Sequence, residues 1–486
     1  MSSSWLESTL LLAQGLAPLL VSLLHLVCAT AVTVHALLNK RLVHAAIGWI
    51  ALAWLAPFMG ALLYLMLGVN RIRRAAVALG LTDTWRGDGS SADPTSEADA
   101  PCLPELAGIS RLTREVTGRS LLAGNTVTPL VHGEQAYPAM LAAIHAARHS
   151  VTLLSYIFDD DLAGRSFLEA LAQAKTRGVQ VRVLIDAVGA RYSRRHMVKQ
   201  LRRCGVPAAV FLPPRLTRLL AQANLRNHRK IMVVDGEIGF TGGMNISSAH
   251  WLSTASAPLI QCLHFAVRGP VVTDLQRTFA IDWAFTTGET LHGRPWFVGN
   301  AAYGPVLARG ITDGPDADID HMRQVILGAL ATARQRVRIV TPYFLPDDVL
   351  LTTLQITALR GVTVDIVLPA RSNLPLLDWA MRSQFGWLVA SGCRVHLSGP
   401  GFDHTKLFLV DDAWSLIGST NWDARSLRLN FEYNLECHDA QLVQQLDALV
   451  DERIAQAHQL TTAELAGQSL GARLRDRLVW LLSPYL

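Results

Sequence analysis

Two stretches of the chain, NHRKIMVVDGEIGFTGGMN (227–245) and HTKLFLVDDAWSLIGSTN (404–421), carry one pattern at one spacing. His228, Lys230, Asp235, Gly242 and Asn245 match His404, Lys406, Asp411, Gly418 and Asn421. A lone His-x-Lys arises by chance and is usually a solvated strand face. Two copies agreeing at every one of these positions indicate an internal duplication, and so two halves of like fold. In a strand, side chains two apart share a face. His228 and Lys230 therefore point one way, as do His404 and Lys406. Ile231, Val233, Leu407 and Leu409 face the other way and anchor each strand in a core.

The repeat reaches further back in each half. YIFDDDLAGRSFLEALAQAKTRGVQVRVLIDAVG and PYFLPDDVLLTTLQITALRGVTVDIVLPARSN run in step. Each opens with an apolar strand that ends in a tyrosine (Tyr156, Tyr343) and an acidic turn. A helix with apolar positions three and four apart follows. An Arg-Gly-Val stop then leads into an alternating strand. A second helix ends at Gly205 or Gly392, ahead of a short strand and the motif. Strands alternating with helices predict an α/β fold with helices covering the sheet. The expected architecture is two pseudo-symmetric α/β/α sandwich halves, residues 121–300 and 301–465.

Composition bears on what precedes them. Half of the 486 residues are hydrophobic and mean hydropathy is +0.25, which is high for a purely soluble protein. Leu10–Leu38 and Ala45–Gly68 are almost wholly apolar and are joined by the polar turn NKRLVH. They predict a two-helix transmembrane hairpin within residues 1–75, with Trp49, Trp54 and Tyr64 near the interfaces. A cleaved signal peptide is the alternative for the first stretch. His25 and His35 read as neutral histidines packed between the helices. Lys40 and Arg41 lie in the turn. Arg71, Arg73, Arg74 and Arg86 follow the second stretch, and no Lys or Arg precedes the first. That bias predicts a multi-pass membrane protein with its main domain in the cytoplasm. Six cysteines without a CxxC pair read as reduced thiols and agree with that side.

Residues 76–120, which include GDGSSADPTSEADA, read as a linker. Residues 466–486 read as a C-terminal amphipathic helix, with Leu474, Leu478, Leu481 and Leu482 on one stripe and arginines opposite. Lying on the membrane and docking on the main domain are both open for it. A formal charge of +5 and a pI near 9.0 suit an anionic partner, nucleic acid or acidic lipid, without choosing between them.

Chemically, a histidine beside a lysine has its pKa lowered and its imidazole kept neutral and nucleophilic. The ammonium also supplies positive charge to a phosphate oxygen. With both copies matching HxKxxxxDxxxxxxG(S/G)xN, the chain resembles the phospholipase D superfamily. Within it the chain resembles the bacterial cardiolipin synthases, through YIFDDDLAGRSFLEAL, RNHRKIMVVDG, GGMNI, TPYFLPDDVL and GSTNWDARSLRLNFEYNLE and the apolar N-terminus. The resemblance implies transfer of a phosphatidyl group from one phosphatidylglycerol to another through a phosphohistidine, giving cardiolipin and glycerol. It implies His228 as nucleophile, His404 as general acid/base, and Lys230, Lys406, Asn245 and Asn421 as holders of the phosphate oxygens. No metal or other cofactor is required, because lysines and amides supply the charge.

Asp235 and Asp411 belong to the motif's catalytic set by resemblance, yet they lie seven residues past their histidines. That is about 23 Å along a straight strand, so structural hydrogen bonds are expected of them. Glu432, in LNFEYN, matches the family's Asn-x-Glu and is the expected partner of an imidazole Nδ1. In the first half the family's D-x-H ahead of GPVV reads C-L-H here, which places Cys262 where an aspartate is expected; His264 is either a polar substitute or a packed surface histidine. Among Arg191, Arg194, Arg195, Arg202, Arg203, Arg215, Arg218, Arg226 and Arg229, a basic approach to lipid headgroups competes with ordinary solvated faces, and Arg226 lies nearest the motif. Tyr156 and Tyr343 are either packing residues or the mouth of the pocket. Anionic phospholipid is the expected partner and no nucleic acid is expected. Rival readings are a hydrolase, transfer to another acceptor such as phosphatidylethanolamine, a nuclease, and a catalytically impaired lipid-binding protein.

Overall fold

In a computed structural model of the chain, the structure describes residues 3–40, 43–68, 99–191, 197–213, 225–251, 253, 259–299, 301–315, 318–399 and 401–483. Arg71, Arg73, Arg74, Arg86, Arg194, Arg195, Arg215, Arg218 and most of the expected linker fall outside these residues. Contacts divide the chain into an N-terminal unit and a large α/β unit.

Both halves of the large unit share one sheet. In the first half its order is Ala208–Phe211, Gln180–Asp186, Ser150–Ser155, Ile231–Val234, Ile238–Gly242, Leu263–Arg268, Leu122–Val131. The second half repeats it with Arg394–Ser398, Thr363–Pro369, Arg336–Val340, Leu407–Val410, Trp414–Gly418, Asn430–His438, Val306–Asp313. In each half the outer three strands pair in parallel, as strand-helix-strand connections require, and the rest pair antiparallel. Leu122–Val131 and Val306–Asp313 join antiparallel, so the expected pair of sandwiches is fused edge to edge. Fusion removes two open strand edges.

The acidic turn of each repeat caps its helix. Asp161 accepts from Gly164 N at 3.0 Å ahead of Leu162–Thr176. Asp347 accepts from Val349 N and Leu350 N at 3.1 and 3.0 Å ahead of Asp348–Leu359. Such caps contribute about 1 kcal/mol each. The helices close one core per half, around Phe167, Leu171, Val183 and Phe240 in the first and Leu354, Ile366, Phe408 and Trp414 in the second. Within the stretch expected as linker, Ala107–Thr117 is a helix whose Ile109 enters the second core.

Of the expected hairpin, the N-terminal unit shows one helix of spanning length. Ser3–Asn39 is one helix, and among the described residues its 16–39 stretch is the one helix long and apolar enough to cross a membrane. The second apolar stretch is broken into Val43–Leu55 and Met59–Leu63, continued by a π-helical turn Tyr64–Gly68. Pro57 is the cause, since it lacks an N–H and disfavours helix at the residue before it. Phe58 takes φ 58° at the break. His25 packs on Trp54 and Phe58. His35 Nδ1 then meets Tyr64 Oη at 2.7 Å, and Lys40 Nζ donates to Gly68 O at 2.6 Å. The chain thus descends from Lys40 to the level of His25, turns, and climbs back to Lys40. A Cβ on Gly60 would lie 2.1 Å from Leu52 O, so glycine is what allows the two arms to touch.

Candidate active site

Each motif strand places its histidine and lysine at the sheet's end with the side chains on one face. The two histidine rings face each other, with centroids 6.3 Å apart at 81°. Both are buried, at 8% and 7% exposure, so the centre excludes most water. Lys230 Nζ donates to His228 O and Lys406 Nζ to His404 O, each at 2.7 Å. That self-contact fixes each ammonium beside its own imidazole. Tyr156 packs edge-on to His228 at 5.3 Å and Tyr343 to His404 at 6.3 Å, so both tyrosines line the centre.

The residues just before and after the histidines hold the strands by the same device in both halves, with charges exchanged. Asn227 and the guanidinium of Arg229 engage Asp282 at 2.8 and 2.7 Å. Asp403 accepts from Arg453 at 2.7 Å and from Thr405 N at 2.9 Å. Arg229 is therefore a buried strut and not part of a basic approach, and Arg202 is held by Ala208 O at 2.8 Å. Arg226 pairs beside Asn430 at the edge of the site, half-buried.

Support of the two imidazoles is unequal. Glu432 lies 3.0 Å from His228 Nδ1 with both oxygens. It accepts as well from Asn430 Nδ2 at 3.0 Å and from Ser419 Oγ. Burial works to raise the Glu432 pKa, but His228, Lys230 and the Ser419 hydroxyl outweigh it and the carboxyl stays below its usual range. Strand register identifies its counterpart. Gly418 pairs with Asn434 and Gly242 with His264, so the position two before is Glu432 in one half and Cys262 in the other. Cys262 is fully buried, and burial pushes its thiol up to about 12, so it offers no negative charge. His404 Nδ1 instead meets Gly243 O at 2.9 Å. A carbonyl only accepts, so His404 carries its proton on Nδ1 and presents Nε2. Gly243 fits because a Cβ there would lie 2.6 Å from His404 O and 2.8 Å from Cys262 Sγ. His264 is buried and not at the surface.

Burial, then Lys230 and Lys406, holds His228 down to about 4, despite Glu432. Burial and the two lysines take His404 well below its ordinary value. Burial, together with their mutual repulsion for Lys230, lowers Lys230 to about 7 and Lys406 to about 8. The resting centre therefore has neutral imidazoles and lysines ready to regain full charge when an anion enters.

Asp235 and Asp411 are not brought to this centre. Asp235 accepts from Arg148 N, His149 N and Ser150 N at 2.9, 2.7 and 2.8 Å. Asp411 does the same for Arg334 N, Gln335 N and Arg336 N at 3.0, 2.8 and 2.9 Å. Each ties the far end of the motif strand to the start of its neighbour, with φ of 53° and 51° in a turn that aspartate tolerates. Asn245 Oδ1 accepts from Ile157 N at 3.3 Å, and Asn421 Nδ2 donates to Ser426 Oγ at 3.1 Å. Gly243 and Ser419 fill the (S/G) position of the motif and Asn430 the Asn of Asn-x-Glu, but their contacts to His404 and Glu432 were not foreseen, and His250 is an addition that the motif did not reveal. His250 is buried, its ring 6.4 Å from that of His404, with Nδ1 on Ile260 O at 3.2 Å.

Among known proteins, the family described as "Cardiolipin synthase, PLD-like domain" matches residues 140–283 and 326–454. The chain is 33% identical over 481 residues to "Cardiolipin synthase A" of Pseudomonas putida, covering 96% of this chain and 97% of that protein. It is 30% identical over 456 residues to "Cardiolipin synthase" of Geobacillus kaustophilus, covering 92% and 90%. The crystal structure of phosphatidylserine synthase from Haemophilus influenzae aligns with TM-score 0.58 at 16% identity, over 78% of this chain and all of that one, which speaks for the fold alone.

Proposed function

The chain belongs to the cardiolipin synthase family with phospholipase D-like domains, a family of phosphatidyltransferases, and from that premise we propose how its residues divide the reaction. A phosphatidylglycerol phosphodiester sits between the two rings. His404, neutral at rest, takes up a proton on Nε2 as the phosphodiester anion enters; His228 Nε2 then forms a bond to phosphorus, the bond to the headgroup glycerol oxygen breaks, and that oxygen takes the proton of His404 Nε2–H. The ring of His228 now carries phosphorus on Nε2 and hydrogen on Nδ1, and so a positive charge, which Glu432 offsets. Lys230 and Lys406 neutralise the non-bridging oxygens through the transition state, with Asn245, Asn421 and Arg226 around the headgroup. A second phosphatidylglycerol then enters. Its terminal hydroxyl gives its proton to His404 Nε2 and its oxygen attacks phosphorus. The N–P bond breaks, cardiolipin leaves, and glycerol has already departed.

The observation that carries this reading is the pair of buried imidazoles set edge to face across one centre, one backed by a carboxylate and the other by a neutral carbonyl. A carboxylate suits the ring that holds positive charge through an intermediate, which favours His228 as nucleophile. The test is phosphatidylglycerol labelled with ³²P in its phosphodiester. It gives an acid-labile label on the protein that His228→Ala abolishes, together with cardiolipin and glycerol in equal amounts. A label that survives in His228→Ala and disappears in His404→Ala reverses the roles.

The same footing supports a membrane location. The stretch 16–39 rises about 36 Å at 1.5 Å per residue, enough to span, whereas Val43–Leu55 rises only about 20 Å. One crossing followed by a re-entrant arm returns the chain to the level of Lys40. Lys40 and Gly68 then share one side, and the sequence that continues from them carries Arg41, Arg71, Arg73 and Arg74. This favours a catalytic domain on the cytoplasmic face of the inner membrane and an N-terminus across it.

A further inference from the structure

The C-terminal helix Leu470–Trp480 is built inside out for a surface helix of a water-soluble domain. At about 100° per residue its positions sort into three sectors. Ala472, Asp476, Val479 and Trp480 form the side turned to the protein. Asp476 is 2% exposed, and Val479 and Trp480 pack against the second-half core. The opposite side is leucine: Leu470, Leu474, Leu478 and, just past the helix, Leu481 are 70, 57, 66 and 65% exposed. The arginines are not opposite the leucines but beside them, Arg473 and Arg477 along one edge and Arg475 along the other. Two of these guanidiniums sit over tryptophans, Arg477 at 4.4 Å from the Trp387 ring and Arg475 at 4.5 Å from Trp379. Both rings belong to Pro375–Ala390, the helix on which this one packs, which itself exposes Leu376.

We propose that this leucine face is a second membrane contact, seated in the headgroup layer of an anionic bilayer. An apolar stripe edged by arginines and tryptophans matches the depth profile of that layer, with acyl chains below, phosphates level with the guanidiniums and indoles between. Charge selects this occupant over a second copy of the chain. A face-to-face pair would bring two arginine edges together, whereas anionic lipid meets them with opposite charge. The contact would hold the catalytic centre at a fixed height over the surface that carries both lipid substrates. The proposal rests on the phosphatidyl-transfer reading only for the choice of lipid, and its first test needs no turnover.

Full-length protein with p-benzoylphenylalanine at position 478 (Leu478→p-benzoylphenylalanine) is reconstituted into phosphatidylglycerol–phosphatidylethanolamine vesicles and irradiated. The expected product is a protein–phospholipid adduct at 478, and none from the same residue at the water-exposed position 169. Cross-linking to a second protein chain, or no lipid adduct, overturns the proposal. In parallel, Leu474→Asn with Leu478→Asn lowers turnover of vesicle-borne phosphatidylglycerol about five-fold or more and leaves turnover of short-chain phosphatidylglycerol, below its micelle concentration, unchanged. An equal fall on both substrates takes the membrane role away from these leucines.

Discussion

Restoring a carboxylate at position 262 is the sharpest perturbation of the unequal site. Cys262 occupies the register position that Glu432 holds in the other half, and its neutral thiol leaves His404 leaning on the Gly243 carbonyl at 2.9 Å. Aspartate differs little in size from cysteine, and Lys406, Lys230 and Arg453 pull a carboxyl there toward its ionised form, against burial and Asp403. A hydrogen bond to a charged acceptor exceeds a neutral one by about 1–1.5 kcal/mol, and about 1.4 kcal/mol is one pKa unit. Cys262→Asp should therefore raise the His404 pKa by about one unit. The sign follows from the role. His404 must be protonated to release the first glycerol, so the alkaline limb of kcat/KM reports its loss of a proton. In Cys262→Asp that limb moves about one unit to higher pH, and the rate on its falling side rises several-fold. Cys262→Asn, of equal size and neutral, leaves the limb in place. The assay is release of radiolabelled glycerol from phosphatidylglycerol across pH. A limb that stays put in a normally folded Cys262→Asp would remove His404 from the acid role or Cys262 from its neighbourhood.

Four further outcomes follow from the same geometry. Glu432→Gln keeps the shape but loses the compensating charge, and kcat falls roughly a hundred- to ten-thousand-fold, read in the same assay with circular dichroism to confirm the fold. Asp235→Asn and Asp411→Asn each weaken three backbone hydrogen bonds, so denaturant unfolding shows a loss of about 1–3 kcal/mol while kcat per folded molecule is unchanged. Lys230 and Lys406, lowered to about 7 and about 8, lose protons as pH rises, so KM for phosphatidylglycerol climbs above pH 8 while Lys406→Arg delays the climb. A reporter fused ahead of Met1 lies on the periplasmic side and one at the C-terminus in the cytoplasm; Pro57→Ala with Gly60→Leu disturbs the re-entrant arm, and the same side for both reporters in the unmodified chain would restore the hairpin.

What could be read from the residues, and what could not, follows the physics of each feature. Strand period put His228 with Lys230 and His404 with Lys406 on one face, because alternation is a property of extended backbone alone. Arithmetic on strand rise placed Asp235 and Asp411 out of reach, and their backbone partners at 148–150 and 334–336 are the consequence. Glu432 was legible through its Asn-x-Glu setting and Cys262 through the gap it leaves. The Gly243 carbonyl was not, since a backbone acceptor has no residue type to announce it; Gly243 marks only a place where a Cβ would collide. Hydropathy averaged over Ala45–Gly68 hid Pro57, a single residue that decides whether an apolar stretch is one helix or two arms. The tail failed in the same way: leucines and arginines were both visible, but whether arginines stand opposite or beside leucines depends on counting angles against the side the protein buries. Pattern thus carries information where one backbone geometry repeats along many residues. It fails where one residue interrupts the geometry, or where a partner is main chain. Those are also the places where the two duplicated halves have come to differ, Gly243 against Ser419 and Cys262 against Glu432, and a division of labour between two histidines can only arise from such differences.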